Sequence, residues 1–225
     1  MKKIFVFLVT AFFTATQLHA QDEQKLHFGL KAAPSLAWLM TDTKGISSNG
    51  TKFGFGYGLI TEFNFSSHYS FATGVDINYR GGKLKSEFHS NDSTTSTAEA
   101  NYTLQYVEIP ITLKLKTNEI GYFTYFLQFG LEPGFNIRSK ANTKTTTKIA
   151  SNPVVVTEDN DEDIKDGINN FNVSMIIGGG LEYTLSGSTT LLTGITFNNG
   201  FLDIYDGDAV KAHSNFLALT IGILF

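Results

Sequence analysis

Cysteine is absent from all 225 residues. Disulfide staples, thiol nucleophiles and Cys-ligated metal centres are therefore excluded. Proline is scarce, at four residues, so long segments are free to enter β-ladders, which proline interrupts. Past the first 20 residues, no apolar run approaches the ~20 residues of a transmembrane helix. A chain like this can cross a membrane only as a closed barrel, because lipid offers no partner to unpaired backbone groups. A basic excess is also missing: 17 Lys and Arg stand against 21 Asp and Glu, a formal net charge of −4. A nucleic-acid partner needs a basic face, so that class is set aside. There is no Gly-x-Ser-x-Gly elbow and no phosphate-cradling glycine loop. Gly54, Gly56 and Gly58 alternate with Phe53, Phe55 and Tyr57 and belong to a strand.

What the chain does have is aromatic residues and glycine: 20 Phe, 9 Tyr and 21 Gly. Its first 20 residues read as a signal peptide. Lys2 and Lys3 form the positive start, residues 4–15 an apolar core, and Leu18-His19-Ala20 a cleavage site before Gln21. About 12 apolar residues are too few to anchor in a bilayer, and no Cys follows to carry a lipid. Removing Lys2 and Lys3 moves the formal charge from −4 to −6. Residues 21–225 are expected to form one barrel domain.

At the other end, residues 215–225 run from Asn215 to Phe225. Leu217, Leu219, Ile221, Ile223 and Phe225 alternate with Phe216, Ala218, Thr220, Gly222 and Leu224. A strand sends alternate side chains to opposite faces, so one face is greasy and the other compact. A terminal aromatic suits a strand that closes an outer-membrane barrel and is read by the barrel-assembly machinery.

Seven earlier segments share this two-faced pattern: residues 27–39, 52–65, 69–80, 101–116, 122–138, 169–185 and 189–198. In the fourth, Tyr102, Leu104 and Tyr106 stand on even positions, then Val107, Ile109, Ile111 and Leu113 on odd ones. A β-bulge near Tyr106 and Val107 is expected to flip the facing there. Short turns at 66–68, 117–120 and 186–188 alternate with long polar loops at 41–50, 81–100, 139–167 and 199–213. That alternation marks an all-β, eight-stranded antiparallel up-and-down transmembrane β-barrel. It places the chain in the outer membrane of a Gram-negative bacterium, with short turns and both termini periplasmic.

A soluble lipocalin-like barrel also alternates, with its apolar face inward. Here the polar face is mainly Gly, Ser, Thr, Asn and Ala, which fits a narrow interior better than a solvated exterior. The bulky face is too large for the inside of eight strands. Nine charges then fall in the lumen: Lys31, Glu62, Asp76, Arg80, Glu108, Lys114, Glu132, Arg138 and Glu182. Buried charges must pair, so they are expected to form an ion-paired filling. The alternative is a selective polar path, a small passive porin. Tyr57, Tyr69, Tyr79, Tyr106, Tyr122, Tyr183 and Trp38 are candidates for the interface girdles.

Three features invite chemistry. The acidic run of residues 158–163 suggests calcium, but Ile164 stands where the loop needs Gly, and a solvated external loop is the simpler reading. Arg138, Lys140, Lys144 and Lys148 are placed to touch lipopolysaccharide phosphates. His27, His68, His89 and His213 lack a matching nucleophile and carboxylate. No enzyme activity, cofactor or metal is therefore expected.

Residues 106–114, Tyr-Val-Glu-Ile-Pro-Ile-Thr-Leu-Lys, resemble the Tyr-x-Glu-Ile-Pro-x-x-Leu-Lys motif of the PorT-like outer-membrane barrels. Phe28-Gly29-Leu30-Lys31 and Phe129-Gly130-Leu131 are similar to that porin-like family too. The resemblance implies a small barrel in which Tyr106, Glu108, Pro110 and Lys114 are structural motif positions. It also implies a structural or secretion-associated role, with type IX secretion-system proteins as partners.

Overall fold

The C-terminal strand closes a ring with the first. A computed structural model describes residues 25–91, 94–149, 152–207 and 210–225; the expected signal at 1–20 lies outside them. Eleven strands follow in order: β1 Leu26–Thr41, β2 Ile46–Ser48, β3 Lys52–Ser66, β4 Tyr69–Asn91, β5 Thr94–Glu108 and β6 Ile111–Lys116, then β7 Phe123–Ile149, β8 Asn152–Asp163, β9 Phe171–Ser186, β10 Thr189–Gly200 and β11 Ala212–Leu224. All pairings are antiparallel, and β1 joins β3 on one side and β11 on the other. The circuit runs β1-β3-β4, then β5 and β6 together, then β7-β9-β10-β11. β5 and β6 are one stave, interrupted at Ile109 and Pro110 because proline brings no N–H to the ladder. The barrel thus has eight staves, as the alternation predicts. Closure reaches the last residue: the Phe225 amide donates to Phe28 O at 2.7 Å and the Phe28 amide to Phe225 O at 3.2 Å.

The outward positions of residues 28–38, 53–65, 69–79, 107–115, 123–137, 171–185, 191–197 and 217–225 carry no Asp, Glu, Lys or Arg. They are held open to the surroundings: Phe53 is 74 % exposed, Leu127 64 % and Ile195 56 %. Such a continuous uncharged belt has no place on a protein in water; lipid is its solvent. The lipocalin-like alternative, with the large residues inside, is thereby excluded.

Two expectations change. The segments 81–100 and 139–167 are mostly strands rather than loops. β4 has 23 residues and β7 27, against the ~9–11 that cross a bilayer. The surplus forms hairpins β4/β5 and β7/β8 that rise beyond the ring. Thr94, Thr95, Thr97, Thr145, Thr146, Thr147, Val154, Val155 and Val156 lie in them, and β-branched side chains favour the pleated conformation. With β2 added beside β4, the projecting sheet is ordered β2-β4-β5-β7-β8.

The second change concerns the bulge. On the β5–β6 stave the even positions stay inward throughout: Leu104, Tyr106, Glu108 and Lys114 are fully buried, and Thr112 is buried. No slip occurs at Tyr106 and Val107. The extra residue lies on the neighbouring strand, where Gln105 faces Arg138 and Tyr106 faces Asn136, so Ile137 of β7 is skipped. Tyr106 therefore points into the lumen and is not a girdle residue.

Candidate functional site: a filled lumen

β4 serves as a ruler up the interior. Its inward side chains from the short-turn end are Ser70, Ala72, Asp76, Asn78, Arg80 and Leu84. The small residues and glycines of this face leave room for long charged chains from other staves.

At the short-turn end, two lysines cross-link two glutamates. Lys114 Nζ lies 2.8 Å from Glu62 Oε2 and is also paired with Glu182 Oε1. Lys116 Nζ lies 3.0 Å from Glu182 Oε2 and is also paired with Glu62 Oε1. Ser70 Oγ donates to Glu62 Oε1 at 2.9 Å, and Lys114 Nζ stands 4.1 Å over the Phe126 ring. Each carboxylate thus has both oxygens engaged, which is what a buried charge requires.

Further up, Lys31 Nζ meets Asp76 Oδ2 at 2.5 Å. Glu132 accepts from Asn198 Nδ2. Arg80 Nη1 lies 2.6 Å from Glu108 Oε1, and Asn78 Nδ2 donates to the other oxygen of Glu108. The Arg80 guanidinium sits 4.2 Å from the Tyr106 ring centre and 5.1 Å from that of Phe216. Gly134 makes the Glu108 position accessible: a Cβ there would come within 2.7 Å of Glu108 Cγ.

Above Tyr106 the interior turns apolar. Leu39, Leu84, Leu104, Ile168, Ile204 and Ala212 pack together with it. Ile204 comes from the β10–β11 connection, which folds inward. Asn169 Nδ2 donates to Asp203 O at 2.9 Å and to Tyr205 O at 2.8 Å, and the Ile204 amide donates to Ala212 O at 2.8 Å. β1 crosses close over β4 here: a Cβ on Gly82 would lie 2.6 Å from the Leu39 nitrogen. Between this cap and the lysine–glutamate cross-link remains a cavity of about 80 Å³, lined among others by Lys31, Asp76, Lys114, Glu132, Asn198 and Phe216. That is room for a few waters.

Eight of the nine charges expected in the lumen are there: Lys31, Glu62, Asp76, Arg80, Glu108, Lys114, Glu132 and Glu182. Arg138 is not. The bulge at Ile137 turns it to the exterior, where it is exposed. Lys116, not among the nine, lies in the lumen too, at the next even position after Lys114. Tyr106, Glu108, Pro110 and Lys114 all face inward along one stave, and three of them hold the ion pairs and ring contact just described. Tyr57, Tyr69, Tyr79 and Tyr122 are exposed on the outer surface; Tyr183 and Trp38 are half-buried, the latter stacked on Phe197 at 6.1 Å.

The remaining chemistry candidates separate in space. His27 Nδ1 is bonded to Asn64 at 3.1 Å and His68 Nε2 to Asn118 at 2.9 Å. His213 Nε2 lies 3.5 Å from Asp203, but Ser214, its neighbour on β11, points to the opposite face. The side chain of His89 lies outside the described ones. Residues 158–163 belong to strand β8, where Glu158 meets Lys144 at 2.8 Å and Asp161 pairs with Lys140. Among the described residues, no group of three or more His, Asp or Glu could hold a metal ion.

A search of curated proteins finds no match. Among solved structures the chain is similar to Neisserial surface protein A, at 12 % identity, with 91 % of this chain and 100 % of that one covered and a TM-score of 0.47. It is similar also to OprG from Pseudomonas aeruginosa, at 11 % identity, 89 % and 97 % coverage and a TM-score of 0.42. A third is Ail of Yersinia pestis, at 12 % identity, 90 % and 100 % coverage and a TM-score of 0.38. The family model described as the outer membrane protein beta-barrel domain matches residues 17–206. Those residues include all but the last of the eight staves, and the chain belongs to that family of outer-membrane β-barrels.

Proposed function

We propose that this outer-membrane barrel acts as a closed, non-catalytic scaffold with a structural or secretion-associated role. The observation that carries this reading is the filled lumen, from the Glu62, Lys114, Lys116 and Glu182 cross-link to the apolar cap around Ile204. With the described residues packed in this way the barrel is read as closed to solute, with its two ends and its lipid-facing wall as working surfaces. The short turns and both termini face the periplasm in this reading, and the projecting sheet faces outward. The alternation of short and long connections supports that orientation. The closing strand β11, followed by Phe225, would supply the segment read by the barrel-assembly machinery.

The secretion-associated part rests on the resemblance of residues 106–114 to the PorT-like motif. Secretion-system proteins would be the partners, docked at an end of the barrel. Deleting the chain and profiling secreted proteins tests it: selective loss of secreted cargo is expected, and an unchanged secretome would remove the role. The runner-up is the small passive porin, for which the cavity of about 80 Å³ would be part of the solute path. In a closed scaffold that cavity is a water pocket.

A further inference from the structure

We propose that the outer wall of β3, β4, β5 and β7 carries a binding site for the anionic phosphomonoester groups of a glycolipid headgroup of the lipid A kind. The site lies where the uncharged belt ends on the side of the projecting sheet. Tyr79, Gln105 and Ile137 form the last outward layer there, and Gln105 Nε2 donates to Tyr79 OH at 2.9 Å.

Directly above that layer, four cations surround residues 101–105 of β5. Arg138 pairs in register with Gln105, Lys140 with Thr103, and Lys83 with Asn101. Lys52 reaches across glycine-bare Gly81 from the top of β3. Its Nζ rests 3.1 Å from Asn101 Oδ1, 3.0 Å from Tyr102 O and 2.6 Å from Thr103 Oγ1. Neighbouring strands lie ~4.8 Å apart, so long side chains from β4 and β7 can converge over β5.

The charge balance favours an external anion. Lys140 is paired with Asp161, and Lys52 is held by three neutral oxygens. Lys83 and Arg138 are exposed and have no carboxylate within ion-pair distance among the described residues. Lys85 and Lys144, one row higher, are engaged by Glu87 and Glu158 at 2.8 Å each. The open positive charge is thus concentrated at the belt's edge, where a lipid's acyl chains would lie on Val75, Ile77 and Val107 and its phosphates would meet the cations. The bulge at Ile137 is what turns Arg138 out of the lumen and into this cluster.

The site requires membrane insertion, as does the scaffold reading, but not the secretion role. The test uses the purified full barrel in phosphatidylcholine nanodiscs doped with lipid A or with its dephosphorylated form, read by native mass spectrometry. Wild type should retain lipid A several-fold more than the dephosphorylated lipid. Lys83→Gln combined with Arg138→Gln should lower lipid A retention to the dephosphorylated level, while Lys25→Gln at the opposite end should not change it. Equal retention of the two lipids by wild type, or an unaffected double variant, overturns the site while leaving the barrel reading intact. A protein that does not enter nanodiscs as a heat-modifiable barrel overturns both.

Discussion

Glu108 stands directly opposite Asp76 in the β4–β5 ladder, yet each carboxylate is claimed by a different cation. Glu108 lies 2.6 Å from Arg80, one inward layer beyond Asn78, and Asp76 lies 2.5 Å from Lys31 on β1. Like charges facing across a ladder repel; here two bases divide them. Because Arg80 is 2 % exposed and Glu108 1 %, removing one partner strands the other in a dry interior. Glu108→Ala should cost about 3–5 kcal/mol, read as a lower urea midpoint in detergent micelles. Arg80→Met with Glu108→Leu should recover most of that loss, since replacing both partners leaves no buried charge.

The lipid-facing belt makes a prediction of opposite kind. Ile221 pairs with Ala32 and Thr193 near the middle of the belt and points outward at 49 % exposure. Ile221→Arg should destabilise the barrel in lipid vesicles by about 2–4 kcal/mol. Lys83→Arg, above the belt, should be neutral in the same unfolding assay.

The Asn169 side-chain amide adds two bonds to the backbone ones that hold the cap. Asn169 holds both Asp203 O and Tyr205 O and so keeps Ile204 seated over Tyr106. Asn169→Ala should leave the barrel folded but speed hydrogen exchange at residues 203–206, with a local loss of about 1–3 kcal/mol. Unchanged exchange would mean that the backbone bonds to Ala212 and Asn169 and the apolar packing hold Ile204 without the side-chain amide.

Close approach makes a fourth. Gly82 has the Leu39 nitrogen where a Cβ would go, and backbone cannot swing aside as a side chain can. Gly82→Val should cost about 1–3 kcal/mol through overpacking, measured by the same urea midpoint.

Much of this architecture is legible in the residues because a strand's period of two is a strong signal. The eight staves, the outward belt and eight lumen charges follow from it. The projecting hairpins do not, because Ser, Thr and Asn suit polar loops as well as solvated strands, and residues 139–149 read either way. The facing of Tyr106 is hidden for another reason. An aromatic ring on an even position looks misplaced until the Arg80 guanidinium is found lying across it. Arg138 fails similarly: Phe135 and Ile137 continue the alternation without a break, so nothing in the sequence marks the bulge that turns the next residue outward.

In the proposed scaffold the lumen is filled and closed. Planar-bilayer recording from the purified, folded barrel tests it most directly. The structure predicts no stepwise open-channel current, because the Lys114 and Lys116 cross-link closes one end and Ile204 the other. Sustained, ohmic single-channel steps from wild-type protein would contradict it and favour the porin.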